Sequence, residues 1–278
     1  MGLKSKIKNT IRLFKAKEMV PIYQPIDGQH LLEGKVALIT GGSGGIGFAI
    51  AKAFMQQGCE VVIAGTSEKK LFTYCEKLSG GGKAHFLVID VTDVNSMSEK
   101  VRLATELSSA RKIDILVNSA GLVSHSDFYH MTEKEYDSIM DVNAKGTYFM
   151  SQAVGKYMIE NKIKGHILNV TSSSALRPAW TPYQMSKWAV RGLTLGLADA
   201  LLPHGIVVNA IAPGPVATPM LGKFEGDSIY NETSPSERYA MPEEIAQLAV
   251  FMVSDMGNLI VGDTFYMTGG SGTITLHN

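Results

Sequence analysis

The stretch that decides the fold is Val36-Ala37-Leu38-Ile39-Thr40-Gly41-Gly42-Ser43-Gly44-Gly45-Ile46-Gly47. An apolar, strand-like run, Val36–Thr40, ends in a glycine-rich turn, and the segment beyond it through Gln57 carries apolar residues at helical spacing. Strand, glycine turn and helix in that order are the context in which glycines mean more than flexibility. Without side chains the backbone turns sharply and lies close against a diphosphate. The helix that follows aims unbonded N–H groups and the positive end of its dipole at the same place. Gly41, Ser43, Gly44, Gly45, Ile46 and Gly47 are therefore read as a phosphate cradle.

The same alternation continues outward from this turn. After the helix to Gln57 come a strand Glu60–Ala64, a helix through Leu78, a strand His85–Ile89, a helix from about Val94 to Ser108 and a strand Ile113–Asn118. A helix from Glu133 to Tyr148 running on to Asn161, a strand His166–Val170, a helix Tyr183 to Leu202, a strand Ile206–Ile211, a helix Pro242 to Val253 and a strand near Thr264–Met267 complete the pattern. Strands alternating with helices predict a parallel sheet. The fold class is thus α/β, a doubly wound parallel seven-stranded sheet with helices on both faces. With 278 residues, 45% of them hydrophobic, the chain can bury a full core, and residues 35–278 are read as one domain.

Composition narrows the partners. The 26 basic and 26 acidic residues cancel, so no global field recruits nucleic acid, and none is expected as a partner. Cys59 and Cys75 lack metal-type spacing, and the seven histidines show no paired ligand pattern, so no metal site is expected. No apolar run approaches the roughly 20 residues of a spanning helix. Together with the absence of a secretory signal, this predicts a cytoplasmic protein.

Residues 1–34 differ from the rest. Lys4, Lys6, Lys8, Arg12, Lys15 and Lys17 are basic, and Leu3, Ile7, Ile11 and Phe14 recur at helical spacing, followed by a connector with Pro21, Pro25 and Gly28. This basic amphipathic extension admits three readings: packing on the domain or a neighbouring subunit, weak contact with an anionic membrane surface through residues 1–17, or disorder.

Tyr183 and Lys187 are the candidates for chemistry. At i and i+4 they share one helix face, beyond the end of the predicted strand His166–Val170, where open α/β sheets bind their ligands. An ammonium beside a phenol is expected to lower a pKa of about 10 towards neutrality and make it a proton donor or acceptor near pH 7.

Thr40-Gly41-x-x-x-Gly45-x-Gly47, Asn118-Ser119-Ala120-Gly121 in place of Asn-Asn-Ala-Gly, and Tyr183-Gln184-Met185-Ser186-Lys187 together resemble the short-chain dehydrogenase/reductase family. The likeness runs from about Leu32 to Gly270 and is nearest in kind to its 3-oxoacyl-carrier-protein reductases. It implies a Rossmann-type fold and an NAD(P)-dependent oxidoreductase that moves a hydride between nicotinamide and an alcohol/ketone pair. In that family the tyrosine is the general acid/base, the lysine also binds the nicotinamide ribose, and a serine after the fifth strand binds the carbonyl. Ser172 aligns there, but its interval to Tyr183 is shorter than usual, which leaves Ser173 and Ser174 as alternatives. Asn143 matches an asparagine that supports a water-mediated proton path to the lysine. Asp90 and Val91 match the adenine contacts, Asn118, Ala120 and Gly121 the motif after the fourth strand, and Pro213, Gly214, Val216 and Thr218 the segment around nicotinamide.

Gly65 occupies the place where an acid would select NAD, followed by Thr66, Ser67, Glu68 and Lys69. Hydroxyls from Thr66 and Ser67 and the charge of Lys69 suit a 2′-phosphate, so NADP is favoured over NAD. The loop of about 214–238, with Met220 and the stretch Leu221 to Arg238, corresponds to the family's substrate lid. His125 is read as a solvated loop histidine before a substrate contact. The resemblance also implies a homo-oligomer, a tetramer or dimer, built through helices around 133–161 and 183–202. The competing readings are a dinucleotide-binding regulator on the same fold and a nucleotide-sugar epimerase or dehydratase, which would have a longer carboxyl-terminal region.

Overall fold

The computed structural model describes residues 30–78, 83–224 and 226–274. The basic extension read from residues 1–17 lies outside the described residues.

Seven parallel strands form one sheet: β1 (Val36–Thr40), β2 (Glu60–Gly65), β3 (Ala84–Val88), β4 (Ile115–Asn118), β5 (His166–Val170), β6 (Val207–Pro213) and β7 (Thr264–Met267). Their order is β3-β2-β1-β4-β5-β6-β7. The chain winds outward from β1 to β3, then crosses back so that β4 pairs with the other side of β1. The crevice between the carboxyl ends of β1 and β4 is the topological switch point, where such sheets bind ligands.

Among the described residues seven α-helical segments cover the sheet: α1 (Gly45–Gln56), α2 (Glu68–Leu78), α3 (Met97–Leu107), α4 (Glu133–Met140), α5 (Thr147–Glu160), α6 (Pro182–Leu201) and α7 (Pro242–Val253). Successive strand residues point to opposite faces, so a strand covered on both sides must be apolar throughout. In β1, Ala37 and Ile39 join a core with Ile50 and Phe54 of α1, Leu71 of α2 and Ile245 of α7. Val36 and Leu38 join the opposite core with Val101 of α3, Met150 and Val154 of α5 and Ala198 of α6. The β1 run is therefore part of two cores at once.

The long helix expected from Glu133 to Asn161 is not uniform. Between α4 and α5, Asp141–Gly146 forms a π-helical turn. Such a turn shifts the helical register and often accompanies a functional site. Here it contains Asn143, which is 1% exposed. No helix among the described residues is long and apolar enough to cross a membrane.

Candidate active site

The glycine turn shows why these positions exclude side chains. Gly41 has φ +66°, and a Cβ there would lie 2.7 Å from the Ser119 carbonyl oxygen and 2.8 Å from the Ala120 nitrogen. At Gly47 a Cβ would come within 2.4 Å of the Gly41 oxygen, so the helix can sit this close to the turn only with glycine. The turn is joined to the end of β4 by Thr40, whose Oγ1 accepts from the Ser119 and Ala120 N–H groups at 3.2 and 3.3 Å. Helix α1 starts at Gly44 with no side-chain cap and no acid in its first turn. Its first N–H groups thus face the crevice with nothing anionic from the chain to satisfy them, as a diphosphate requires.

The crevice is a cleft of about 1650 Å³ that includes the glycine turn, Thr66, Ser67, Asp90, Val91, Ala120, Gly121, Tyr183, Lys187 and Thr218. Other residues that the sequence reading assigned to the cofactor lie behind it. Asn118 is 3% exposed. Its Nδ2 donates to Ser151 Oγ and Asn169 Oδ1, each at 2.9 Å, and Asn169 in turn donates to Thr194 Oγ1 at 3.0 Å. This buried polar network ties β4 to β5, α5 and α6, and Asn118 does not line the cleft. Val216 is likewise buried, and neither it nor Pro213 or Gly214 forms the cleft wall. At the far end Lys70 faces the cleft where Lys69 was expected, and Lys52 of α1 faces it as well. Helical phase explains the change: Ser67 stands at the start of α2 and accepts from the Lys70 N–H at 3.4 Å, which puts residue 70 on the first turn's inner side.

The position of Tyr183 is set locally. Thr181-Pro182-Tyr183-Gln184 is a capping box with proline in the first turn, in which Thr181 Oγ1 accepts from the Gln184 N–H at 3.4 Å and Gln184 Oε1 accepts from the Thr181 N–H at 3.1 Å. The helix start, and with it the phenol, is thereby tied to sequence that surrounds it. Ser172, extending from β5, accepts from the Ser174 N–H at 3.1 Å and stands beside the Tyr183 phenol, where its hydroxyl favours the ionised form. Of the three serines considered, Ser172 is the one brought to the phenol. Ser173 is buried within a short 3-10 turn, and the Ser174 backbone is spent on capping.

The electrostatics differ from the expectation of a phenol lowered by its neighbouring ammonium. Burial raises the Tyr183 pKa above its ordinary value, and the neighbouring Ser172 hydroxyl opposes this only in part. Lys187 Nζ lies 5.6 Å from the centre of the tyrosine ring and donates to the Val170 carbonyl at 3.0 Å. It faces the ring and a carbonyl instead of the phenol oxygen, and burial lowers its own pKa to about 8. Desolvation is the leading cause of the shift at both groups.

Asn143 links these parts. Its Oδ1 accepts from the Leu122 N–H at 2.8 Å, and its Nδ2 donates to the Leu122 carbonyl at 2.9 Å and to Ser186 Oγ at 3.0 Å. Ser186 Oγ donates to the Tyr183 carbonyl at 2.7 Å. The asparagine thus joins the loop after β4 to the helix carrying Tyr183 and Lys187. Neither Lys52 nor Leu122 was singled out from the sequence. Lys52 needed the helix packing to reveal its direction, and Leu122 contributes only its backbone here.

Comparisons with known proteins bear on the family of the chain. A family model described as Enoyl-(Acyl carrier protein) reductase matches residues 41–272. The chain is 36% identical over 244 residues to a 3-oxoacyl-(acyl-carrier-protein) reductase of Thermotoga maritima, covering 86% of this chain and 98% of that one. It is 33% identical to a gluconate 5-dehydrogenase of Gluconobacter oxydans, covering 86% and 95%. The crystal structure of a short-chain type dehydrogenase/reductase from Mycobacterium marinum superposes with a TM-score of 0.79 at 31% identity, over 86% of this chain and 96% of that one. These names leave the regulator reading without support.

Proposed function

This chain belongs to the short-chain dehydrogenase/reductase family of NAD(P)-dependent oxidoreductases, and we propose that it reduces a ketone to a secondary alcohol with Tyr183 as proton donor. The observation that carries this reading is that Ser172 stands beside the Tyr183 phenol, with Tyr183 and buried Lys187 on the wall of the cleft that begins at the glycine turn.

A nicotinamide dinucleotide, when bound, supplies or takes up the hydride. The chain's residues fit such a group: Gly41, Ser43, Gly44, Gly45, Ile46 and Gly47, at an uncapped helix start, would hold the diphosphate, Asp90 and Val91 would meet the adenine, and Ala120, Gly121, Lys187 and Thr218 would hold the nicotinamide and its ribose. Ser172 donates a hydrogen bond to the substrate oxygen, and Tyr183 gives its proton to the same oxygen as negative charge develops there. A phenol held protonated by burial suits that direction. Lys187 keeps a charge beside the tyrosine and offers a route for replacing the proton. Asn143 is a positioning residue, because its side chain holds Leu122 and Ser186 and leaves no donor for the substrate.

NADP in preference to NAD is part of the same reading. No acid stands at Gly65, while Thr66, Ser67, Lys70 and Lys52 face the far end of the cleft. The loop 214–238 serves as the substrate lid of a single catalytic domain, residues 35–278, in a cytoplasmic enzyme. A homo-oligomer is supported by Met185, Trp188 and Leu195, large apolar side chains left exposed along α6.

The test is turnover of a panel of ketones and alcohols, read from absorbance of the reduced cofactor, with NADPH and NADH supplied in parallel. Tyr183→Phe lowers turnover by orders of magnitude while binding of the reduced cofactor, read by its fluorescence, persists. Near-normal turnover in that variant refutes the assignment, and a strong preference for NADH refutes the NADP reading.

A further inference from the structure

A second cavity, of about 600 Å³, opens beside the cleft, with Leu122, Val123, Ile139 and Met220 as its apolar walls and His125 and Lys134 among its polar ones. Leu122, Lys134 and Met220 also border the cleft that contains Tyr183 and Lys187. The cavity thus adjoins the space in front of Tyr183. The one carboxylate on its lining, Glu135, is turned away from a ligand: it accepts from the His125 N–H at 2.9 Å, the Ser126 N–H at 3.2 Å and Ser126 Oγ at 2.6 Å. Three donors on one carboxylate brace the loop against α4 and fix the backbone from which the His125 side chain projects. At the other end of the same loop, Leu122 is held through both its N–H and its carbonyl by Asn143. The wall is thus anchored twice. Glu135 keeps its negative charge with its oxygens engaged by its three donors, while Lys134, the one lysine or arginine on the lining, makes no ion pair among the described residues.

We infer that this cavity selects oxo substrates that end in a carboxylate, with the intervening apolar segment against Leu122, Val123, Ile139 and Met220 and the anionic end at Lys134 and His125. The inference rests on the hydride-transfer reading of the neighbouring site and adds the class of substrate. The reaction itself is unchanged: hydride to the carbonyl carbon and a proton from Tyr183 to its oxygen.

The experiment uses the full chain with reduced cofactor and a matched pair, an aliphatic oxo acid and its methyl ester. The acid is turned over with about ten-fold higher kcat/KM, the size of one charge-assisted contact. In Lys134→Gln the KM for the acid rises by about that factor with little change in kcat, while the ester loses far less. Equal kcat/KM for acid and ester, or equal losses for both in the variant, overturns the inference. A second measurement keeps the two readings apart: calorimetry of an unreactive alkyl carboxylate and its ester in the presence of oxidised cofactor. Preferential binding of the carboxylate that disappears in Lys134→Gln supports the subsite even if no oxo compound is turned over, in which case it is the hydride-transfer reading that fails. Equal binding of the two overturns the subsite whatever the turnover.

Discussion

Replacing Lys187 by methionine separates what this side chain costs the fold from what it does in the site. The residue is 6% exposed, and burial lowers its pKa from the ordinary 10.5 to about 8. At about 1.36 kcal/mol per pH unit, that drop makes the buried ammonium unfavourable by roughly 3 kcal/mol at neutral pH. Methionine fills similar space without charge but forfeits the hydrogen bond to the Val170 carbonyl, worth about 1 kcal/mol. Lys187→Met is therefore expected to stabilise the cofactor-free protein by about 2 kcal/mol at pH 7. For a chain of this size that is a rise in Tm of roughly 5 °C.

The pH dependence identifies the cause. With the folded pKa below the unfolded one, the unfolded chain holds the extra proton between them. The lysine-bearing protein has its full share of stability above pH 10.5 and loses it as pH falls, until none is left below about 8. The advantage of the variant is thus largest at pH 7 and disappears towards pH 10.5. Calorimetry of both proteins at the two pH values, alongside turnover that falls by orders of magnitude, measures this. A variant that melts lower at pH 7, or a difference independent of pH, would refute the reasoning.

Other outcomes follow from particular contacts. Gly47→Ala sets a Cβ 2.4 Å from the Gly41 oxygen, so the helix must back away at a cost of about 1–3 kcal/mol; a lower Tm and weaker dinucleotide binding by fluorescence titration are expected, and an unchanged affinity contradicts the cradle. Asn143→Ala strips the Leu122 N–H and carbonyl of their partner, costing roughly 2–4 kcal/mol in denaturant unfolding, and Asn143→Asp, which keeps the acceptor for the N–H but sets a buried carboxylate oxygen against the Leu122 carbonyl, is expected to lose at least as much; an unchanged stability in either contradicts the anchoring role. His166, pushed down from 6.5 to about 4 by burial and secondarily by Lys35, contributes stability that is complete above pH 6.5 and gone by about pH 4, up to roughly 3 kcal/mol. A His166→Gln variant should show a shallower loss across that window in acid unfolding, and an equal loss assigns the acid sensitivity elsewhere.

The strands were legible because a sheet covered on both faces demands unbroken apolar runs. Val36–Thr40, His166–Val170 and Thr264–Met267 occupy the residues expected of them. The helix expected from Tyr183 to Leu202 starts within a residue of that, at Pro182, but the Thr181 cap that fixes its start was seen only in the structure. The π-helical turn Asp141–Gly146 was not legible, since a widened turn changes backbone pairing without changing the apolar period around it. The motif Asn118-Ser119-Ala120-Gly121 also combined two roles under one signature: Ala120 and Gly121 line the cleft, while Asn118 stitches strands together behind it.

The sequence by itself determined the parallel α/β architecture, the glycine turn and the Tyr183–Lys187 pair, because each depends on period, steric permission or spacing within a short segment. Only the tertiary structure decided that Ser172 is the serine at the phenol, that Lys70 and Lys52 face the cleft where Lys69 was expected, and that Lys187 lies over the tyrosine ring. Those outcomes depend on which side of an element faces the cleft and on how much water burial removes. Both are set by packing between segments far apart in the chain, and desolvation there reversed the expected direction of the tyrosine's shift.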